Sequence, residues 1–179
     1  VIGLGAALEY LEDQDKLLWY HCGWQSPGMR ELDPETMAWR IIIPGDSVYH
    51  NCPECPQAEQ VMVYDSVTQT LIAARGASFH ECNITERKWR RTVTDSSINI
   101  NDSRGSLVWD CDKRIALWYG DNSKLLAYDT RNKNLVRLRP EGDTCAGTGM
   151  AFYHEALKVM VVYVNRTVPT KIWVYRPPV

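Results

Sequence analysis

The sequence predicts an all-β fold, a β-propeller built of four-stranded antiparallel blades, of which about four are visible. The first observation is composition, because runs rich in Val, Ile, Leu, Trp and Tyr alternate with short polar segments, as in strands and turns. The second is a repeat, since one aromatic residue recurs at spacings of 54, 45 and 44 residues, at Tyr10, Tyr64, Trp109 and Tyr153. The third is that no stretch keeps apolar residues at helical spacing for three turns. A period of about 40–50 residues with four strands per unit is typical of a propeller blade.

The clearest unit of the repeat is the hairpin over residues 125–138, LLAYDTRNKNLVRL. We predict an apolar strand that ends at Tyr128-Asp129, a five-residue polar turn, and a returning strand that begins at Leu135. Asp and Asn open turns because their side chains hydrogen-bond the backbone two residues on. The same spacing of six residues, from an Asp or Asn to a large apolar residue that packs on its neighbours, recurs in Asp33 with Trp39 and in Asn83 with Trp89.

A second hairpin precedes each of these copies, so that the repeating unit has four strands. Its second strand ends in a small residue that we expect to adopt positive φ where the chain turns, at Gly23, Gly76, Gly120 and Asn165. The approximate units of a single propeller domain or segment are therefore 1–48, 58–97, 102–145 and 148–179. We predict that the last unit stops after its third strand, since Pro177-Pro178 cannot donate to a ladder.

The repeats resemble those of the kelch family of β-propellers. The resemblance is carried by the first-strand aromatic residues and by two paired features, Leu32-Asp33 with Trp39 and Tyr128-Asp129 with Leu135. It covers nearly the whole chain and implies the propeller fold. The sequence departs from the family pattern, because one Gly or Asn stands where kelch repeats carry a Gly-Gly doublet. A β-sandwich or another meander of hairpins is the alternative architecture.

The strand count gives three full units and three-quarters of a fourth, which leaves two arrangements open. The first is the C-terminal half of a six- to eight-bladed ring, and the second is a closed four-bladed ring. We expect the first, because residues 1–4 are short for a closing strand. An open half-ring exposes strand edges and apolar faces. We therefore expect the remaining blades or another protein subunit to cover the open side.

The charge pattern argues against a nucleic-acid partner. The formal net charge is −2, and the densest basic cluster is Arg-Lys-Trp-Arg-Arg at residues 87–91. On an acidic chain we read this cluster as a solvated strand whose Trp89 faces the core. No apolar run approaches the roughly 20 residues of a membrane-spanning helix, so we predict no membrane span.

The cysteines support two competing interpretations. In the segment HNCPECP, the spacing of His50, Cys52 and Cys55 is compatible with a zinc site. A structural zinc site needs a fourth ligand and usually a second CxxC, which the sequence lacks, so we favour a loop held by disulfides and predict no cofactor. Six cysteines allow fifteen pairings, and the disulfide candidates are Cys22, Cys52, Cys55, Cys82, Cys111 and Cys145.

Three acceptor sequons for N-glycosylation favour an extracellular or otherwise extracytoplasmic location. They begin at Asn83, Asn101 and Asn165, all in predicted turns or strand ends. An even number of cysteines suits the same oxidising compartment. We therefore predict a secreted glycoprotein with disulfide bonds.

The sequence favours a non-catalytic binding or assembly module over an enzyme. We assign no catalytic residue, because the sequence shows no nucleophile elbow, triad spacing or dense His/Asp/Glu cluster. Trp109, Trp118 and Trp173 are interpreted as packing residues between blades rather than as a sugar-stacking platform. We expect the partner to be a protein or a glycan. The alternatives are a kelch-like propeller enzyme resembling the copper-radical sugar oxidases, to whose motifs no residue here can be matched, and a structural subunit of a filament or coat.

Overall fold

The computed structural model describes nine segments of the chain, residues 6–21, 28–43, 61–75, 78–94, 105–120, 124–139, 141, 150–164 and 171–177. These residues form fifteen strands and no helix, and therefore no helix that could cross a membrane. The strands are β1 (Ala6–Leu11), β2 (Lys16–His21), β3 (Gly28–Asp33), β4 (Ala38–Ile43), β5 (Val61–Asp65), β6 (Thr70–Arg75), β7 (Ser78–Asn83), β8 (Lys88–Thr94), β9 (Gly105–Asp110), β10 (Ile115–Gly120), β11 (Lys124–Asp129), β12 (Asn134–Leu138), β13 (Met150–His154), β14 (Val159–Val164) and β15 (Lys171–Tyr175).

The strands form four antiparallel sheets in chain order, which confirms the predicted all-β class and the four-stranded unit. Sheet 1 holds β1–β4, sheet 2 holds β5–β8, sheet 3 holds β9–β12, and sheet 4 holds the three strands β13–β15. Each sheet is a simple meander, because every strand pairs with the next one along the chain. Sheet 4 has three strands in the described part of the chain, as the sequence predicts.

The hairpins that join first to second strands and third to fourth strands share one turn. In each, the last strand residue pairs with the residue five positions on, so that four residues form the turn. The fourth turn residue has positive φ in all seven cases, at Asp15, Met37, Gln69, Arg87, Arg114, Lys133 and Lys158. None of the seven is a glycine, and the left-handed conformation costs such residues roughly 1–2 kcal/mol each.

The turn-opening carboxylates and amides make the predicted backbone contacts. Asp129 Oδ1 accepts hydrogen bonds from the Arg131 and Asn132 amides at 2.9 and 3.4 Å. Asp33 and Asn83 accept equivalent pairs of bonds in their own turns. The predicted five-residue turn after Asp129 is one residue too long, because β12 begins at Asn134 and not at Leu135.

The core lies between the sheets as three apolar clusters rather than at one centre. One cluster joins sheet 1 to sheet 2, a second joins sheet 2 to sheet 3, and a third joins sheet 3 to sheet 4. Strand alternation produces this arrangement, since in β11 Leu126 and Tyr128 face sheet 2 whereas Leu125 and Ala127 face sheet 4. The first strand of each sheet also contacts the first strand of the next sheet, with β1 against β5, β5 against β9, and β9 against β13. The four sheets therefore form an arc with the first strands on its inner side.

The prediction of positive φ at the end of the second strand is wrong for Gly120. It is the last residue of β10 and does not have positive φ. Its lack of a side chain instead makes room for Trp118, since a Cβ there would lie within 3.0 Å of three atoms of the indole ring. Trp118 is 1% exposed, and Trp89 is 3% exposed, so both pack between sheets as predicted. Trp109 and Trp173 are half-buried at the edges of the second and third clusters.

Candidate protein interface

The contact between sheets 2 and 3 shows how one sheet of this protein recognises the next. Asp65, at the end of β5, is 1% exposed and forms an ion pair with Arg114 Nη2 at 2.6 Å. Glu81 on β7 forms a second ion pair with Lys133 Nζ at 2.6 Å and accepts a 2.9 Å hydrogen bond from the Tyr128 hydroxyl. Arg114 and Lys133 are the positive-φ residues of the two turns of sheet 3. This interface therefore combines an apolar centre with ion pairs at the edge of the sheets where these turns lie.

The other two joints also use polar contacts from the turns. Between sheets 1 and 2, the Tyr64 hydroxyl donates to Asp13 Oδ2 at 3.3 Å and accepts from Gln14 Nε2 at 3.1 Å. Burial, together with the bond to Asp13, raises the pKa of Tyr64 to about 12. Between sheets 3 and 4, Lys158 forms an ion pair with Asp112. Turn residues of one sheet thus contact the next sheet at every joint of the arc that the structure describes.

Glu9 on β1 is the carboxylate whose protonation this packing changes most clearly. Its neighbours Ala7 and Leu11 on the same side of the strand belong to the cluster between sheets 1 and 2. Burial raises the pKa of Glu9 to about 7, although the backbone N–H of Tyr64 donates to the carboxylate and opposes that rise. A carboxyl group near the inner side of the arc therefore titrates around neutral pH.

Sheet 1 packs on sheet 2 with one face and leaves the other face exposed. We call this exposed surface the first-sheet face; its large side chains are Leu8, Tyr10, Trp19, Arg30, Trp39 and Ile41. Leu8 and Ile41 are 58% and 59% exposed. Trp19 meets Trp39 edge to face at 5.9 Å, and the Arg30 guanidinium lies 5.2 Å from the Trp19 ring centre. This cation–π contact orders the middle of an otherwise apolar surface.

Sheet 4 mirrors this arrangement at the other end of the arc. One face packs on sheet 3, and the opposite face, which we call the last-sheet face, consists of Met150, Phe152, Val161, Tyr163, Ile172 and Val174. Met150 is 74% exposed, Phe152 54% and Ile172 65%. The register places these side chains opposite one another, since Phe152 pairs with Val161 and Val161 with Val174. The last-sheet face is therefore a continuous apolar surface without a charged side chain among the six.

The exposed residues occupy the positions that other sheets bury. Tyr10 of the first-sheet face stands where Tyr64 stands in sheet 2, and Tyr64 is 6% exposed. Phe152 of the last-sheet face stands where Val63 and Val108 stand in sheets 2 and 3, and these are 6% and 5% exposed. Each exposed face thus has the register and chemistry of an interface between sheets. Exposed apolar patches of this kind are typical of surfaces that contact another protein, a membrane or a ligand.

A groove of about 630 Å³ adjoins the first-sheet face at the turn end of sheet 1. Its walls include Asp15, Asp33, Glu35 and Trp39. Glu31 inside the groove is held by Arg40 at 2.9 Å and by Lys16 at 3.3 Å. Four carboxylates therefore line this groove, and one of them, that of Glu31, is neutralised by two cations.

Several residues singled out from the sequence lie outside the described residues. These are the candidate metal ligands His50, Cys52 and Cys55, the cysteines Cys22 and Cys145, and the sequon residues Asn101 and Asn165. Cys82 and Cys111 are described, and both are free thiols, so neither supports the predicted disulfides. Cys82 is buried between sheets 1 and 2, where burial raises its pKa to about 12, whereas Cys111 is exposed.

Asn83 is the one candidate glycosylation residue within the described chain. Its Oδ1 accepts hydrogen bonds from the Thr85 and Glu86 amides at 3.0 and 3.1 Å, and its Nδ2 donates to the Thr68 carbonyl at 3.3 Å. The side chain therefore holds its turn and links it to the neighbouring turn of sheet 2. Its glycosylation stays a prediction.

Within the described segments, no group of three His, Cys, Asp or Glu residues is placed to hold a metal ion. The sequence predicts an exposed open side but does not identify Trp19, Ile41, Phe152 or Ile172 as part of it. The signal was present, because β13 and β15 carry apolar residues at consecutive positions, which period-two alternation with one solvated face does not produce.

Comparison with known proteins identifies the architecture. No protein-family model and no curated protein matches the sequence. Solved structures do match, among them TolB from Acinetobacter baumannii, with a TM-score of 0.57 and 14% identity over 96% of this chain and 39% of that one. The chain has the β-propeller fold. Within that fold the four sheets are blades, and the three clusters are contacts between neighbouring blades.

Two further propeller structures are similar over most of this chain. One, described as a nidogen/laminin complex, has a TM-score of 0.63 and 9% identity over 95% of this chain and 62% of that one. The other, an auxiliary nutrient binding protein from Bacteroides thetaiotaomicron, has a TM-score of 0.62 and 10% identity over 91% of this chain and 36% of that one. The chain thus spans less than two thirds of the length of each of these structures. The predicted propeller is confirmed, whereas the kelch subfamily is not distinguished from other propellers.

Proposed function

We propose that this chain is a non-catalytic protein-binding and assembly module. In this module a propeller arc binds protein through its two end faces, which are the first-sheet face and the last-sheet face. The observation that carries the proposal is the exposure of Ile41, Phe152 and Ile172 at positions that the inner blades use for contact. A sheet face of this kind needs a partner with a similar apolar sheet face, which either a further blade or another protein subunit provides. The kelch resemblance belongs to the same proposal and is supported by the pairing of Leu32 with Trp39 and of Tyr128 with Leu135.

An extracytoplasmic location is part of the proposal. It is supported by the three sequons at Asn83, Asn101 and Asn165 and by the even number of cysteines. The matched nidogen/laminin structure is by its description a complex of proteins, which fits a propeller that binds protein. A glycan is the second candidate partner, because Tyr10, Trp19 and Trp39 form an aromatic surface on which a sugar ring can stack.

The proposal is tested by photo-cross-linking in intact cells that produce the protein. A benzophenone amino acid is placed at position 41 on the first-sheet face or at position 152 on the last-sheet face. The control is position 67, because Val67 is 73% exposed but lies in a turn of sheet 2, away from both faces. We expect cross-links to polypeptide at positions 41 and 152 and none at position 67.

Two results contradict the proposal. Absence of cross-linked polypeptide at both face positions would show that the faces have no protein partner. Cross-linking to carbohydrate alone at position 41 would assign the first-sheet face to a glycan instead.

A further inference from the structure

We infer that the partner of both end faces is a second copy of this chain, joined head to tail so that the two copies form a closed pair. The inference rests on the proposed function, since it names the protein that covers the same two faces. In the joint, the last-sheet face of one copy packs on the first-sheet face of the other. Three observations on the described blades support this arrangement.

The first observation is the direction of the faces. Inside the arc, every joint pairs one side of a blade with the opposite side of the next blade. The first-sheet face is the side with which later blades contact the blade before them, as the matching registers of Tyr10 and Tyr64 show. The last-sheet face is the side with which earlier blades contact the blade after them, as Phe152 and Val108 show. Contact between these two faces repeats the internal joint, whereas contact between two first-sheet faces does not.

The second observation is a complementary pair at the position of a known ion pair. Asp65, the last residue of its first strand, pairs with Arg114, the positive-φ residue of the next blade. The residues at these two positions of the new joint are His154 on the last blade and Asp15 on the first. The carboxylate and the nitrogen-bearing side chain have exchanged blades, but the pair again joins one of each kind. His154 Nδ1 already accepts from the Leu157 amide at 3.3 Å, so Nε2 is the donor that we assign to Asp15.

The third observation is that apolar residues replace both partners at the position of the other ion pair. Glu81 pairs with Lys133 inside the arc, and the residues at these positions of the new joint are Val174 and Met37. Both are exposed, Val174 at 64% and Met37 at 70%. An apolar side chain in place of only one partner would leave a charge buried and unpaired. Both partners are apolar here, as direct contact between the two faces requires.

Two copies are enough to cover both end faces, because the last-sheet face of each copy packs on the first-sheet face of the other. A head-to-tail joint that closes after two copies has both joints identical. The assembly would then leave neither apolar end face in contact with water.

The test is sedimentation velocity on the 179-residue chain, from about 1 to 100 µM, which covers micromolar dissociation constants. We expect the wild type to sediment at twice the chain mass of 20.5 kDa. Ile41→Glu and Phe152→Glu each place a carboxylate in both joints, and we expect each to weaken association by more than about 100-fold. Val67→Glu is the matched control and should remain paired. Because all three positions are exposed, circular dichroism should show that every variant is folded.

The decisive experiment mixes the two face variants and measures whether they associate. A mixture of Ile41→Glu with Phe152→Glu restores one intact joint, so we expect a mixed pair although each variant alone is monomeric. A wild type at the chain mass across the whole range overturns the inference. So does dissociation by only one of the two variants, which indicates contact between like faces, or growth into long polymers, which rules out a closed pair. A monomeric wild type that still cross-links protein at positions 41 and 152 overturns only the second copy, whereas loss of cross-links overturns the proposed function itself.

Discussion

Gly105 and Gly120 form a slot for Trp118, and this slot allows a quantitative test of the packing between sheets 2 and 3. The two glycines pair opposite each other at the end of sheet 3. A Cβ on Gly105 would lie 2.5 Å from Trp118 Nε1, and a Cβ on Gly120 would overlap the six-membered ring. Trp118 is 1% exposed and packs against sheet 2, so the ring has no room to retreat. Gly120→Ala therefore forces either the indole or the strand to move.

The expected cost follows from these contacts. Overpacking a core costs about 1–3 kcal/mol, and loss of a buried tryptophan from its site costs about 3–5 kcal/mol, which sets the upper limit. We expect Gly120→Ala to lower the free energy of unfolding by about 3 kcal/mol, or Tm by about 6–12 °C in a domain of this size. Trp118→Val alone should cost a similar amount, because it leaves a cavity.

A double-mutant cycle separates this explanation from a general effect of the glycine. In Gly120→Ala combined with Trp118→Val, the added methyl group enters the space that the ring has left. Sheet 4 carries this combination naturally, with Val162 and Val164 at the two positions. We expect the double variant to lose about 3 kcal/mol rather than the sum of about 6. Urea denaturation followed by circular dichroism measures all four proteins, and additive losses would refute the slot.

Three further predictions concern single side chains. The folded pKa of Glu9, about 7, lies above the 4.5 of an ordinary Glu, so stability falls as pH rises between these values, by at most about 3 kcal/mol. Glu9→Gln should abolish that loss in urea denaturation at pH 5 and pH 8, and an unchanged pH profile would contradict it. Of the two described thiols, exposed Cys111 should react with a maleimide in the native protein and buried Cys82 only after unfolding, as read by mass spectrometry. At Arg87, where φ is 56°, substitution by Val should destabilise the protein by about 1 kcal/mol more than substitution by Gly in thermal unfolding, and equal effects would contradict the strain.

The repeat made much of the fold predictable. Asp33, Asn83 and Asp129 open their turns as local hydrogen bonding dictates, and this interaction depends only on neighbouring residues. The six-residue spacing to the returning strand then fixed the pairing of each hairpin. The positive-φ positions could not be predicted in the same way. A turn can impose the left-handed conformation on a residue such as Met37 or Lys133, because its cost is small compared with strand pairing.

The candidate interface was harder to predict than the fold. Burial of a strand face depends on which blade lies beside it, and the residues of terminal and inner blades have the same alternation. Tyr10 and Tyr64 illustrate the difficulty, because the same residue type at the same position is 50% exposed in one blade and 6% in the next. Only the order of the sheets along the arc distinguishes them. The same reason explains why Gly120 was read as a turn residue, since its neighbour Trp118 is what excludes a side chain there.

Hydroxyl-radical footprinting of the end faces tests the central claim most directly. The method reports the accessibility of side chains such as Met150, Phe152 and Trp39 in the native assembly and in the Ile41→Glu variant. We expect these side chains to be protected in the wild-type protein and reactive in the variant, with Trp118 protected in both. Equal and high reactivity of Met150 and Phe152 in the two proteins would show that the last-sheet face meets solvent in the native state, and would contradict its role as an interface.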